Sequence, residues 1–245
     1  MHHITFDLET GANLEMAREL CGDYPKFDPD KVPLGNAKKP ETIEAKIEEA
    51  REKHDKPETI DKFYSDFAKK HCKLVPEMSF IAVLTMMSDD IITHLVSKTG
   101  EKEEETLKEF WERYSSDRLI KYVGHSIFKF DLDMLIKRSL ILGVHVPSSV
   151  YSLMGRRIMF SDRFVDIVDL WMLGTHSSEY MRNGRKYSLD YIAKALGVSQ
   201  PRDYPVNGEN FFQYLTSDNK DDVKLAMKYC ADDVIEPDAI YKKFL

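Results

Sequence analysis

The stretch ITFDLETG, residues 4–11, reads as a strand that ends in two acids. Ile4, Thr5 and Phe6 are β-branched or aromatic and suit a pleated, buried surface. Residues i and i+2 of a strand project from one face. Asp7 and Glu9 therefore stand side by side, while Leu8 points to the opposite face and is expected in the core. Two carboxylates that close repel and desolvate each other unless they are protonated or share cations. A divalent ion bound through oxygen resolves that cost. The alternative at this point is that Glu9-Thr10-Gly11 is where the strand frays into water.

After the strand the chain changes character. Residues 11–77 are charged, carry Pro25, Pro29, Pro33 and Pro40, and contain two matching helix starts, Pro40-Glu41-Thr42 and Pro57-Glu58-Thr59. Proline and an acid favour the positive end of a helix, which predicts helices over 41–54 and 58–72. Phe80–Met87 and Ile91–Val96, joined by Ser88-Asp89-Asp90, read as a β-hairpin. A charged helix over 103–115 follows, then an apolar run Leu119–Val123 broken by Gly124, and a helix to 142. Val165–Val168 is expected as a short strand. Tyr187–Leu196, closed by Gly197, and Asp221–Phe244 read as helices, with Pro237 expected to kink or interrupt the second. This order describes an α/β domain with a mixed sheet flanked by helices. It places a core at 1–10 and 78–245 in a single domain, with a largely helical insertion, 11–77, after the first strand.

With 245 residues the chain can bury a full core. Its formal net charge of −7 argues against a general nucleic-acid-binding protein, which should be basic. An enzyme whose acids hold divalent cations is not excluded, because those ions reverse the local field. No apolar run approaches the roughly 20 residues that cross a bilayer, and no signal peptide is legible. Cys21, Cys72 and Cys230 are scattered without metal-ligand spacing. A cytoplasmic protein without membrane contact is expected.

Two further acids occupy distinctive settings. In VGHSIFKFDLDML, residues 123–135, Gly124-His125 ends a strand and Asp131 begins a helix. Asp131 is either an N-cap worth about 0.5–2 kcal/mol or a carboxylate kept ionised by the helix terminus, as a metal ligand must be. Asp133 would point elsewhere. In YCADD, residues 229–233, Tyr229 and Asp233 are i and i+4 and share a helix face. Val223, Ala226, Met227, Cys230 and Val234 can dock that helix on the sheet.

Taken in order, FDLET, VGHSIFKFDLDML and YCADD resemble the three motifs of the DEDD (DnaQ-like) 3′–5′ exonucleases, which have a ribonuclease H-like fold. Tyr229, four residues before Asp233, matches the tyrosine subclass; the position that would be histidine in the other subclass is Lys228. FVDIVDLW (164–171) and YSLDYIAKALGV (187–198) are similar to the proofreading exonuclease domain of family B DNA polymerases. The insertion's FDPDKVPLGNAKKPETIEAKIEEA is similar to inserts of phage-encoded, stand-alone exonuclease-like proteins. Ser126 departs from the family's Gly-His-Asn; its hydroxyl is shorter than the amide and donates one hydrogen bond.

The resemblance implies a 3′–5′ exonuclease dependent on two Mg²⁺ or Mn²⁺ ions, held by Asp7, Glu9, Asp131 and Asp233. It gives Asp7 to both ions, Glu9 and Asp233 to the one beside the attacking water, Asp131 to the second, and the orientation of that water to Tyr229. The implied substrate is a single-stranded DNA 3′ end, released as 5′-mononucleotides. An RNA exonuclease or oligonucleotide hydrolase, and a catalytically inactive nucleic-acid-binding or scaffold domain, remain as alternatives. Substrate contacts are expected at Thr10, Ser126, Phe128 and a basic loop with Arg182, Arg185 and Lys186. No polymerase sequence follows, so replication or repair proteins are expected to act in trans.

Overall fold

Five strands build one sheet among the described residues: β1 (His3–Ala12), β2 (Ser79–Ser88), β3 (Ile91–Val96), β4 (Lys121–Gly124) and β5 (Phe164–Asp166). The computed structural model describes residues 2–36, 38–150, 163–172 and 187–245. The strand order is β3-β2-β1-β4-β5, so the strand bearing the two acids is central. β1 runs parallel to β4, with His3 opposite Lys121 and Thr5 opposite Val123. β4 runs parallel to β5, and β2 antiparallel to β3. The expected hairpin turns on Asp89 and Asp90, both at positive φ (48° and 63°), the handedness that matches strand twist in two-residue turns. β1 does not fray at Glu9; it continues to Ala12.

The helices are α1 (Leu14–Cys21), α2 (Pro40–His54), α3 (Pro57–His71), α4 (Glu103–Ser116), α5 (Asp131–Ile141), α6 (Ile167–Trp171), α7 (Leu189–Ala195), α8 (Phe211–Leu215) and α9 (Lys220–Lys242). Ile4, Phe6 and Leu8 of β1 enter a core with Phe110 and Trp111 of α4 and Leu132 and Leu135 of α5. On the other face, Ala82 and Val83 of β2 pack with Phe211 of α8 and Ala226 and Cys230 of α9. Val123 of β4 meets Ile192 of α7 and Ile240 of α9. Both faces are covered, as the parallel part of such a sheet requires.

The chain divides into two compact units, residues 1–11 with 80–245, and residues 12–79. Within the second, α2 and α3 begin at Pro40 and Pro57, which sit at the start of each helix. The sequence did not announce α1, which is capped by Asn13: its Oδ1 accepts the N–H groups of Glu15 and Met16. Ala17, Ala68 and Cys72 form this unit's small buried cluster. α2 buries no residue.

Three expectations need adjusting. Leu119 is exposed and held in a turn, its N–H donating to Asp117, so β4 starts only at Lys121. The strand expected at Val165–Val168 is Phe164–Asp166, because Asp166 accepts the Val168 N–H and opens α6. Pro237 does not interrupt the last helix, which continues to Lys242. Its missing N–H forfeits one bond, while buried Ile240 and Tyr241 and the Asp238–His3 pair at 2.7 Å hold the helix end in place. No helix among the described residues is long and apolar enough to cross a membrane.

Candidate active site

The alternation of β1 puts Leu8 in the core, 4 % exposed, and turns Asp7 and Glu9 to the other face. α9 docks on that face through buried Cys230, whose thiol hydrogen-bonds Thr85 of β2. Asp233 follows Cys230 by one turn. As a result, ligand oxygens of Asp7, Glu9 and Asp233 all lie within 4.8 Å of one another. All three residues are half-buried. Tyr229, one turn before Asp233, hydrogen-bonds the Asp233 carboxylate.

Asp131 lies outside that group of three; its carboxylate is held against the backbone of β1. It is the first residue of α5 but does not cap it; Phe130 holds the cap position and no side chain bonds there. Instead, its Oδ1 accepts the Leu8 N–H at 3.3 Å. The β1–β4 register covers His3 to Thr5, and β4 stops at Gly124. Leu8 therefore lies beyond the paired register, and Asp131 takes its amide. The carboxyl is 4 % exposed.

These acids perturb one another. Enclosure raises the Asp7 carboxyl well above its ordinary value, and Asp233, Asp131 and Glu9 add to the rise; Arg202 opposes it. Asp131 is pushed up to about 7, first by burial, with Asp166 and Asp233 adding and backbone N–H groups opposing. Asp233 is raised by burial, against Arg202 and the Tyr229 hydroxyl. Burial, then Glu9, Asp233 and Asp7, drive the Tyr229 phenol upward. It stays protonated and acts as a donor. A divalent cation would offset this mutual repulsion and hold the carboxylates ionised. An all-oxygen donor set of this kind suits Mg²⁺ or Mn²⁺.

The loop before Asp131 is held from below. Ser126 adopts a left-handed backbone (φ 59°), and its N–H donates to Asp166 Oδ1 at 2.9 Å. The Phe128 N–H reaches the other Asp166 oxygen at 3.4 Å. Phe128 and Phe130 both pack against the core, and Thr10 is buried. Asp133 pairs with Lys137 at 3.0 Å, and Lys228 with Asp232 at 2.9 Å, so neither turns to the acids. Arg182, Arg185 and Lys186 lie outside the described residues.

Sequence reasoning missed two participants. Arg202, between α7 and α8, stands 2.8 Å from Asp233 and 2.7 Å from Glu236. Asp166 is 5 % exposed and collects three backbone N–H groups. Arg202 carries no periodic signal; Asp166 was visible as an acid in an otherwise apolar run.

Residues 65–245 match the family described as "Predicted 3'-5' exonuclease related to the exonuclease domain of PolB". Among solved structures, the chain is similar to the family B DNA polymerase from the hyperthermophilic archaeon Pyrobaculum calidifontis, with a TM-score of 0.52 and 15 % identity over 99 % of its length. It spans 24 % of that polymerase, and the likeness is one of fold. The mixed five-stranded sheet with flanking helices is accordingly the ribonuclease H-like arrangement expected from the motifs. No curated protein matches the chain.

Proposed function

The chain belongs to the family of predicted 3′–5′ exonucleases related to the exonuclease domain of PolB, and from that starting point we propose that it removes 5′-mononucleotides from the 3′ end of single-stranded DNA. The observation that carries this reading is the convergence of Asp7, Glu9 and Asp233 oxygens within 4.8 Å, with the Asp131 carboxylate held against the same strand by the Leu8 N–H. These four carboxylates would hold two Mg²⁺ or Mn²⁺ ions. When bound, such ions relieve charge on the scissile phosphate and make water nucleophilic near neutral pH.

The chain's own groups set the geometry. Asp7 feels the charges of Asp233, Asp131 and Glu9 and would be the acid shared between the cations. The Leu8 N–H fixes the Asp131 carboxylate. Tyr229 keeps its proton and orients the attacking water from beside Asp233. Its hydrogen bond would suffice for that role, and it need not be the formal base. Cations also reconcile an acidic protein with a polyanionic substrate. Thr10, Ser126, Phe128 and the basic residues Arg182, Arg185 and Lys186 are proposed as substrate contacts.

The test is incubation of 3′- and 5′-labelled DNA and RNA oligonucleotides with Mg²⁺, Mn²⁺ or EDTA. Mononucleotides should leave the 3′ end of single-stranded DNA, and EDTA should stop the reaction. Folded Asp7→Ala and Asp233→Ala variants should be inactive. Cleavage that persists in EDTA, or at full rate in either variant, overturns the reading.

A further inference from the structure

Arg202, outside the three motifs, reaches the acidic cluster by a direct ion pair. Its guanidinium spans two acids of α9, with Nη1 2.8 Å from Asp233 Oδ1 and Nη2 2.7 Å from Glu236 Oε2. Glu236 is 1 % exposed. Its other oxygen accepts the Gln200 N–H at 2.9 Å. A buried carboxylate needs such partners to remain charged, and here both come from one short segment, residues 200–202. That segment is thereby tied to the helix one turn beyond the cluster. Arg202 in turn holds one oxygen of Asp233, and Tyr229 also bonds that carboxylate.

The geometry points to Arg202 as a positioning residue that, braced by Glu236, fixes the Asp233 carboxylate in the orientation that presents it to a divalent cation beside Asp7 and Glu9. This rests on the reading of those acids as the cation site. The planar fork of a guanidinium can engage two carboxylates at once, whereas an ammonium offers a single nitrogen. Its charge works the other way. A positive group beside the acids repels an incoming cation, so any gain Arg202 brings to cation binding comes through orientation.

Charge and orientation are separated by Arg202→Lys, which keeps the first and loses the two-point grip. Mn²⁺ binding is measured by calorimetry on wild type and variant, with kcat and KM on single-stranded DNA and urea unfolding alongside. Positioning predicts a fall in Mn²⁺ affinity and in kcat of about tenfold or more, with KM for the DNA unchanged. Glu236→Gln, which keeps an oxygen for the Gln200 N–H, should shift the same two quantities in the same direction and carries the test if Arg202→Lys does not fold. A variant that is folded and merely less stable, with wild-type Mn²⁺ affinity and kcat, overturns the positioning role. Wild-type protein that binds no Mn²⁺ overturns the cation site itself, and the proposal with it.

Discussion

Replacing Asp131 with asparagine should stabilise the metal-free protein while abolishing the proposed cation-dependent activity. The Asp131 carboxyl rises from 3.8 to about 7, first through burial and then through Asp166 and Asp233. An acid whose native value is raised binds its proton more tightly folded than unfolded. Stability is therefore full below the unfolded value and is lost as pH climbs from 3.8 to about 7. At about 1.4 kcal/mol per tenfold change in proton affinity, the loss reaches about 4 kcal/mol above that window. Rearrangement of neighbouring acids and entry of water reduce it, which leaves about 2–4 kcal/mol. Asparagine removes the titration and keeps an oxygen for the Leu8 N–H. The assay is urea unfolding in EDTA at acid and alkaline pH. The variant should gain about 2–4 kcal/mol near pH 8 and only about 1 kcal/mol near pH 5. Mn²⁺ should narrow the gap at the higher pH by stabilising the wild type more. An Asp131→Asn protein no more stable than wild type near pH 8 would refute the reasoning.

Tyr229→Phe should lower kcat while Mn²⁺ affinity by calorimetry stays near that of wild type, because the phenol is a hydrogen-bond donor; an unchanged rate would reduce Tyr229 to packing. Gly11→Ala should destabilise by about 1–3 kcal/mol in urea unfolding, since a Cβ there would lie 2.3 Å from Phe80 Cζ and 2.7 Å from Phe212 Cε2. A wild-type midpoint would mean that the aromatic pair yields freely. Ser126→Asn should add about 0.5–1 kcal/mol, because Ser126 sits at φ 59° and asparagine tolerates that region better. Loss of stability would show that the serine hydroxyl matters more than the backbone.

The parts of the site that were legible in the chain are those governed by local geometry. Strand alternation alone put Asp7 and Glu9 on one face and Leu8 in the core, and helical spacing alone paired Tyr229 with Asp233. Matching proline starts located α2 and α3 almost to the residue. What sequence could not supply depends on where distant segments end. Asp131 reads equally well as a cap, and only the stop of β4 at Gly124 gives its carboxylate the Leu8 amide instead. Arg202 finds its acids more than thirty residues further along, from a segment that itself carries no periodicity. Pro237 stands inside a continuous helix because tertiary burial of Ile240 and Tyr241 outweighs one lost bond, which propensity for an isolated helix leaves out.

Crystals soaked in Mn²⁺ and measured at the manganese edge would locate the cations themselves. Anomalous density should lie between the carboxylates of Asp7, Glu9 and Asp233, with a second peak against Asp7 and Asp131. Manganese found only elsewhere on the protein, with these four acids intact and facing one another, would contradict the assignment of this cluster as the site of phosphodiester hydrolysis.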